Sequence, residues 1–145
     1  MQNTAIKFLL IFAFVFLSNQ SKAHPHVFIK AGITVCFNEE GIYKLKMKYT
    51  FDHVFSHELL QLFDANKNKQ FEKSEIEQVR AKAFSNLVNY NYFVHVIQNN
   101  KKINHKSISA FTANVKNNIV TYSFDVNTRI PITNSATSVK IAVYD

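Results

Sequence analysis

The chain has 145 residues and a formal net charge of +7 at pH 7, from 17 Lys and Arg against 10 Asp and Glu. Arginine occurs only at Arg80 and Arg129 and the lysines are dispersed, which excludes the concentrated basic stripe of a nucleic-acid binder. Cys36 is the single cysteine, so neither an internal disulfide nor a redox pair can form.

Residues 1–23 read as a signal peptide rather than part of the fold. Lys7 precedes the apolar run Phe8 to Leu17, too short to span a bilayer comfortably, and Ser21-Lys22-Ala23 places small residues where a signal peptidase reads. The mature chain then begins at His24 in an exported compartment. Its 122 residues (145 − 23) suffice for one domain, 24–145, with a real core, and losing Lys7 and Lys22 lowers the charge from +7 to +5.

The mature start is His24-Pro25-His26-Val27-Phe28-Ile29. Cleavage exposes the amine of His24 beside its own imidazole, and His26 adds a second imidazole. Such nitrogen donors suit Zn²⁺, Cu²⁺ and Ni²⁺ better than Ca²⁺ or Mg²⁺. Pro25 has no amide hydrogen, so the square-planar chelate that uses deprotonated backbone amides cannot close, and the ion must complete its shell elsewhere. Two histidines on a solvated start are the plainer alternative.

Val27 to Phe37 and Ile42 to Phe51 are β-rich, joined by the turn Asn38-Glu39-Glu40-Gly41. Leu45, Met47 and Tyr49 alternate with Lys44, Lys46 and Lys48, the mark of an antiparallel strand with one dry face. Cys36, in an apolar run, is expected to be buried.

Asp52, His53 and His57 open a helix. His53 and His57 are four residues apart, which sets both imidazoles on one face at a spacing able to grip Zn²⁺. Asp52 is also an ordinary helix cap, and the two histidines an ordinary polar face. No Glu follows His53, so the HExxH protease motif is absent.

Two helical patterns, with Val54, Phe55, Leu59, Leu60 and Phe63 before and Ile76, Val79, Ala83 and Leu87 after, flank a twelve-residue loop from Asp64 to Glu75. This is the outline of an EF-hand. Oxygen-bearing side chains fall at positions one, three, five, seven, nine and twelve: Asp64, Asn66, Asn68, Gln70, Glu72 and Glu75. Position six, normally Gly, is Lys69, which predicts about 1 kcal/mol of left-handed strain. Neutral Asn66 and Asn68 and three nearby lysines predict weak or absent Ca²⁺ binding. The alternative is a shaped corner, with Ser74 to Glu77 as a capping box.

Tyr92 to Ile97, Ser107 to Val115, Ile119 to Val126 and Ser138 to Tyr144 are short strands, most simply paired as an antiparallel meander. His95 falls in an apolar strand as a structural residue, and His105 in a polar loop as a solvated one. The fold class is therefore α+β: an antiparallel sheet with an EF-hand-like helix-loop-helix inserted between strands. No Gly-rich phosphate loop or Ser/His/Asp arrangement is present, so the chain reads as a binding protein rather than an enzyme.

Taken in order, HPHVFI, the strand pair, TFDHVFS, FDANKNKQFEKSE and AFSNLVNYNYF resemble an uncharacterised family of small periplasmic proteins described as components of ABC-type transport systems. Its members are linked to nickel/cobalt-type permeases and some to zinc uptake. The resemblance covers His24 to about Phe93. It implies a periplasmic metal-handling protein with an inner-membrane permease as partner, His24 and His26 matching the leading His-Pro-His and Asp52 the acidic residue of a Phe-Asp motif. The family's loop is richer in Asp and Gly, and a Trp often precedes the Phe-Asp pair where Thr50 stands here. The ending AVYD resembles an internal strand end of longer relatives, which implies a shortened chain lacking a final strand or two.

Overall fold

The computed structural model describes residues 27–105, 107–131 and 138–144. β1 (Ile29–Asn38) and β2 (Gly41–Phe51) form the expected antiparallel hairpin, closed over Glu39 and Glu40. On β2 the alternation resolves as read from the sequence: Leu45, Met47 and Tyr49 are buried, and the intervening lysines lie on the other face.

Helix α1 (His53–Phe63) follows, then the loop, then α2 (Lys73–Lys82). The second helix is shorter than the spacing to Leu87 implies: it ends at Lys82 and a 3₁₀ segment, Phe84–Phe93, takes over. That segment stops at three consecutive left-handed residues, Asn91, Tyr92 and Phe93, with φ of 54°, 53° and 58°. Two side-chain bonds help to hold this strained turn. Asn91 Nδ2 donates to the Val94 carbonyl at 2.6 Å, and the Tyr49 hydroxyl donates to the Tyr92 carbonyl at 2.7 Å.

The remaining strands are β3 (Val94–Gln98), β4 (Lys101–Ile103), β5 (Ser107–Lys116), β6 (Ile119–Pro131) and β7 (Val139–Val143). All ladders are antiparallel, but they build two sheets rather than one meander. One has the order β1-β2-β6-β5 and the other β4-β3-β7. Hairpins β1-β2, β3-β4 and β5-β6 pair as neighbours in sequence, whereas β2 pairs with β6 and β3 with β7 across long connections. The fold is thus α+β, with the helix-loop-helix between β2 and β3.

One core unites these parts. Leu45, Met47, Tyr122 and Phe124 from the first sheet meet Leu59 and Phe63 of α1, Val79 of α2 and Val94 and Val96 of the second sheet. Phe84 is its hub, stacked on Phe111 at 4.1 Å and tilted against Phe124 at 5.0 Å. Cys36 is part-buried rather than fully buried: its register opposite Lys44 sets it on the lysine-bearing face of the sheet, away from the core. Among the described residues no helix is long and apolar enough to cross a membrane.

Candidate functional site

Asp52 is the N-cap of α1, in extended conformation, and its Oδ1 accepts the Phe55 N–H at 2.9 Å. Its other oxygen, Oδ2, accepts the Phe28 N–H at 2.9 Å, and the Asp52 N–H is donated to the Phe28 carbonyl at 3.1 Å. These donors, Phe55 first and then Phe28, hold the Asp52 carboxyl below the usual carboxylate range. The residue thus caps the helix as expected and also ties down the chain entering β1. His24 and His26, the two other residues of the expected site, lie outside the described residues.

One face of α1 carries His53 and His57, as their spacing requires, and both line an open groove of about 870 Å³. Gln61 approaches His57 Nε2 through its side-chain amide at 3.0 Å, and Asp64, Lys67 and Lys69 also line the groove. Among the described residues no group of three or more His, Cys, Asp or Glu side chains converges as a metal site would. Two imidazoles are fewer than the donors a closed metal site uses.

The loop has the backbone expected of its register. Lys69 is left-handed at φ 63°, and so is Lys67 at φ 60°. Its ligand-type oxygens are turned onto the loop's own N–H groups. Asp64 accepts from Asn68 at 3.1 Å and Lys69 at 2.8 Å, Asn66 Oδ1 accepts from Asn68 at 3.0 Å, and Asn68 Oδ1 accepts from Gln70 at 2.8 Å. Buried Glu75 accepts from Ala65 at 2.8 Å through one oxygen and from Glu72 at 3.0 Å through the other. Gln70 contributes its backbone N–H. The N-cap of α2 is Glu72, so the capping box is Glu72 with Glu75, two residues earlier than Ser74 with Glu77. The Asn66 and Asn68 amides donate to the same Glu72 oxygen. A carboxyl hydrogen bond with Glu75, then these amides, hold Glu72 down at about 2.

A model of the family described as a protein of unknown function, DUF1007, matches residues 9–145. The chain belongs to that family. No curated protein and no solved structure matches it. Family membership leaves the chemistry to be argued from the residues themselves.

Several residues that shape this DUF1007 chain carry no plain signal in the sequence. Ser56 is fully buried, and its hydroxyl accepts the Val120 N–H at 3.0 Å, joining α1 to β6. Its clue was position: Ser56, Leu59 and Phe63 are the buried residues of α1, so a hydroxyl sits in an otherwise apolar stripe. An apolar groove of about 520 Å³ lies beside the start of β1, lined by Phe28, Ile29, Phe55, Leu87, Phe93 and Tyr144 among others. No single segment encodes it. His95 stacks on Tyr144 at 3.9 Å, in keeping with a structural role. His105 is half-buried rather than solvated, set edge-on to Tyr92 at 6.2 Å, and burial followed by the Lys102 charge lowers its pKa.

Proposed function

We propose that the chain is a periplasmic metal-binding accessory of a transition-metal transport system. In this reading Zn²⁺ or Ni²⁺ is captured by the His24 amine and imidazole with His26, after residues 1–23 are removed, and passed to an inner-membrane permease. The observation that carries it is the clamp between Asp52 and Phe28, which fixes the chain two residues after His26 to the head of the helix bearing His53 and His57. A donor set on an untethered start would lose more entropy on closing around an ion. Asp52 spends one hydrogen bond per carboxylate oxygen on backbone, leaving lone pairs with which a third ligand could act. His53 and His57 are the additional candidates. Ca²⁺ in the loop would need Asp64, Asn66, Asn68, Gln70 and Glu75 to turn from their present roles toward an ion, which supports weak binding at most.

A metal-free adaptor is the second reading, favoured by Glu75, whose two oxygens already accept loop N–H groups. A copper enzyme using His24 for oxidative chemistry is a third. It is removed if copper-loaded protein with reductant and peroxide leaves polysaccharide unoxidised. The deciding experiment titrates correctly cleaved protein with Zn²⁺, Ni²⁺, Cu²⁺ and Ca²⁺ beside a version carrying one extra residue before His24. Loss of more than about tenfold in transition-metal affinity, or roughly 1.4 kcal/mol, supports the terminal chelate. Equal affinity in the two forms overturns it, and because imidazoles bind metal only when deprotonated, equal affinity at pH 5 and pH 7.5 does so too.

A further inference from the structure

β1 is an edge strand of ten residues whose outer edge pairs with no strand among the described residues. Its register on β2 sets Ala31 opposite Tyr49, Ile33 opposite Met47 and Val35 opposite Leu45, so this row continues the dry face of the sheet. The β2 partners are buried, yet Ile33 is 38 % exposed, Val35 36 % and Phe37 72 %. The core face runs on past its cover.

Other edges are guarded against pairing in familiar ways. β5 is broken by a register shift between Ser109 and Thr112, with Ala110 left-handed at φ 51°. β4 has three residues, two of them lysines, and β7 has five with Lys140 near its centre. β1 has no such device from Ala31 to Phe37. The irregularity near its end places the extra residue, Tyr43, on β2, so alternation along β1 is unbroken.

We propose that two copies of this chain associate through β1, antiparallel about a two-fold axis at Ile33, to make one continuous eight-stranded sheet. The Phe28 carbonyl faces Asp52, and alternation then directs the N–H and C=O groups of Ile29, Ala31, Ile33 and Val35 to the free edge. Pairing about Ile33 uses these groups and is self-complementary. Ile33 faces its copy, Ala31 faces Val35, and Ile29 faces Phe37. The exposed Phe37 ring of each copy thereby falls beside Ile29 of the other, at the rim of the apolar groove that Ile29 and Phe28 line. Charge permits it: Lys30 is the one charged residue on β1 and would face Cys36. The Lys44, Lys46 and Lys48 rows of the two copies would stand three strand spacings apart, about 14 Å, beyond the screening length of about 8 Å at physiological salt. A two-strand interface lies at the small end of stable ones, roughly 1,200 Å² in total, so association is expected to depend visibly on concentration.

Sedimentation velocity over a concentration series tests this, with Ile33→Lys setting two ammonium groups face to face at the axis and Val88→Lys, on the exposed 3₁₀ segment, as control. The expected result is a dimer whose dissociation constant rises at least tenfold in Ile33→Lys and is unmoved in Val88→Lys, both variants keeping the wild-type circular dichroism. Lys30→Cys supplies a second measurement that does not depend on an introduced charge. Lys30 and Cys36 of the second copy form a non-hydrogen-bonded pair, with Cα atoms about 4.5 Å apart, so mild oxidation should yield a covalent dimer. A monomer at every concentration overturns the proposal, as does a dimer indifferent to Ile33→Lys.

Discussion

Asp52 and Phe28 hold each other by two hydrogen bonds: the carboxylate accepts the Phe28 N–H at 2.9 Å and the Asp52 N–H is donated to the Phe28 carbonyl at 3.1 Å. The same carboxylate caps α1 through Phe55. Asp52→Asn keeps one acceptor oxygen and loses the other, so either the cap or the clamp on the N-terminal segment opens. Because the carboxyl is held below its ordinary value of 3.8, its contribution is present above that pH and is lost as pH falls through the lower, folded value. Wild-type melting temperature should therefore drop more steeply below pH 4 than that of Asp52→Asn, and amide exchange at Phe28 should rise in the variant. Parallel acid profiles would refute this role.

Ser56 holds a second joint. Its hydroxyl is fully buried and accepts the Val120 N–H at 3.0 Å. Ser56→Ala leaves that donor unpaired, at a cost of about 1–3 kcal/mol. Urea denaturation should show the midpoint falling with unchanged slope, and exchange of the Val120 amide should accelerate more than its neighbours'. A variant as stable as the parent would mean that another acceptor replaces the hydroxyl.

Tyr49 joins the first sheet to the left-handed turn through its hydroxyl, which donates to the Tyr92 carbonyl at 2.7 Å. Burial raises the pKa of this phenol, so it stays a donor through neutral and mildly alkaline pH. Tyr49→Phe preserves the edge-to-face contact with Phe124 at 5.2 Å and removes only the bond. A loss of about 1 kcal/mol is expected, with nuclear magnetic resonance shifts concentrated at Asn91 to Phe93. Shifts spread evenly over the core would contradict a local role.

Much of this molecule was legible because the relevant physics is local. The β1-β2 hairpin follows from its turn and from Leu45, Met47 and Tyr49 alternating with lysines, and the cap at Asp52 and the left-handed Lys69 follow from position in a motif. What escaped depends on tertiary partners. Ile76, Val79, Ala83 and Leu87 keep a helical period, yet the α-helix stops at Lys82, where Phe84 turns into the aromatic cluster of Phe111 and Phe124. Pairing of β3 with β7 spans the whole of β4 to β6, a choice no short window contains. Cys36 looked buried from its apolar neighbours, but it alternates with Val35 on the strand and so falls opposite Lys44, on the face turned away from the core. For the site, the sequence placed His53 and His57 on one face; the tie from Asp52 to Phe28 needed the fold.

The loop offers a test that separates a shaped corner from a weakened ion site. Lys69 is left-handed at φ 63° and donates its N–H to Asp64 at 2.8 Å. Lys69→Gly keeps that bond, relieves the side-chain clash and removes a positive charge from the loop. Stability should rise by up to about 1 kcal/mol, the strain relieved less the added entropy of the unfolded chain. The Asn66 and Asn68 amides both donate to the Glu72 carboxylate, a support that weakens as the carboxyl protonates in acid, and Glu72→Gln should flatten that part of the acid profile. If the loop retains any ion chemistry, Lys69→Gly should also strengthen Ca²⁺ binding in calorimetric titration, while Glu75→Gln abolishes it. A stabilised Lys69→Gly protein that still ignores millimolar Ca²⁺ would mark the loop as a corner, kept by its own hydrogen bonds and free of any metal role.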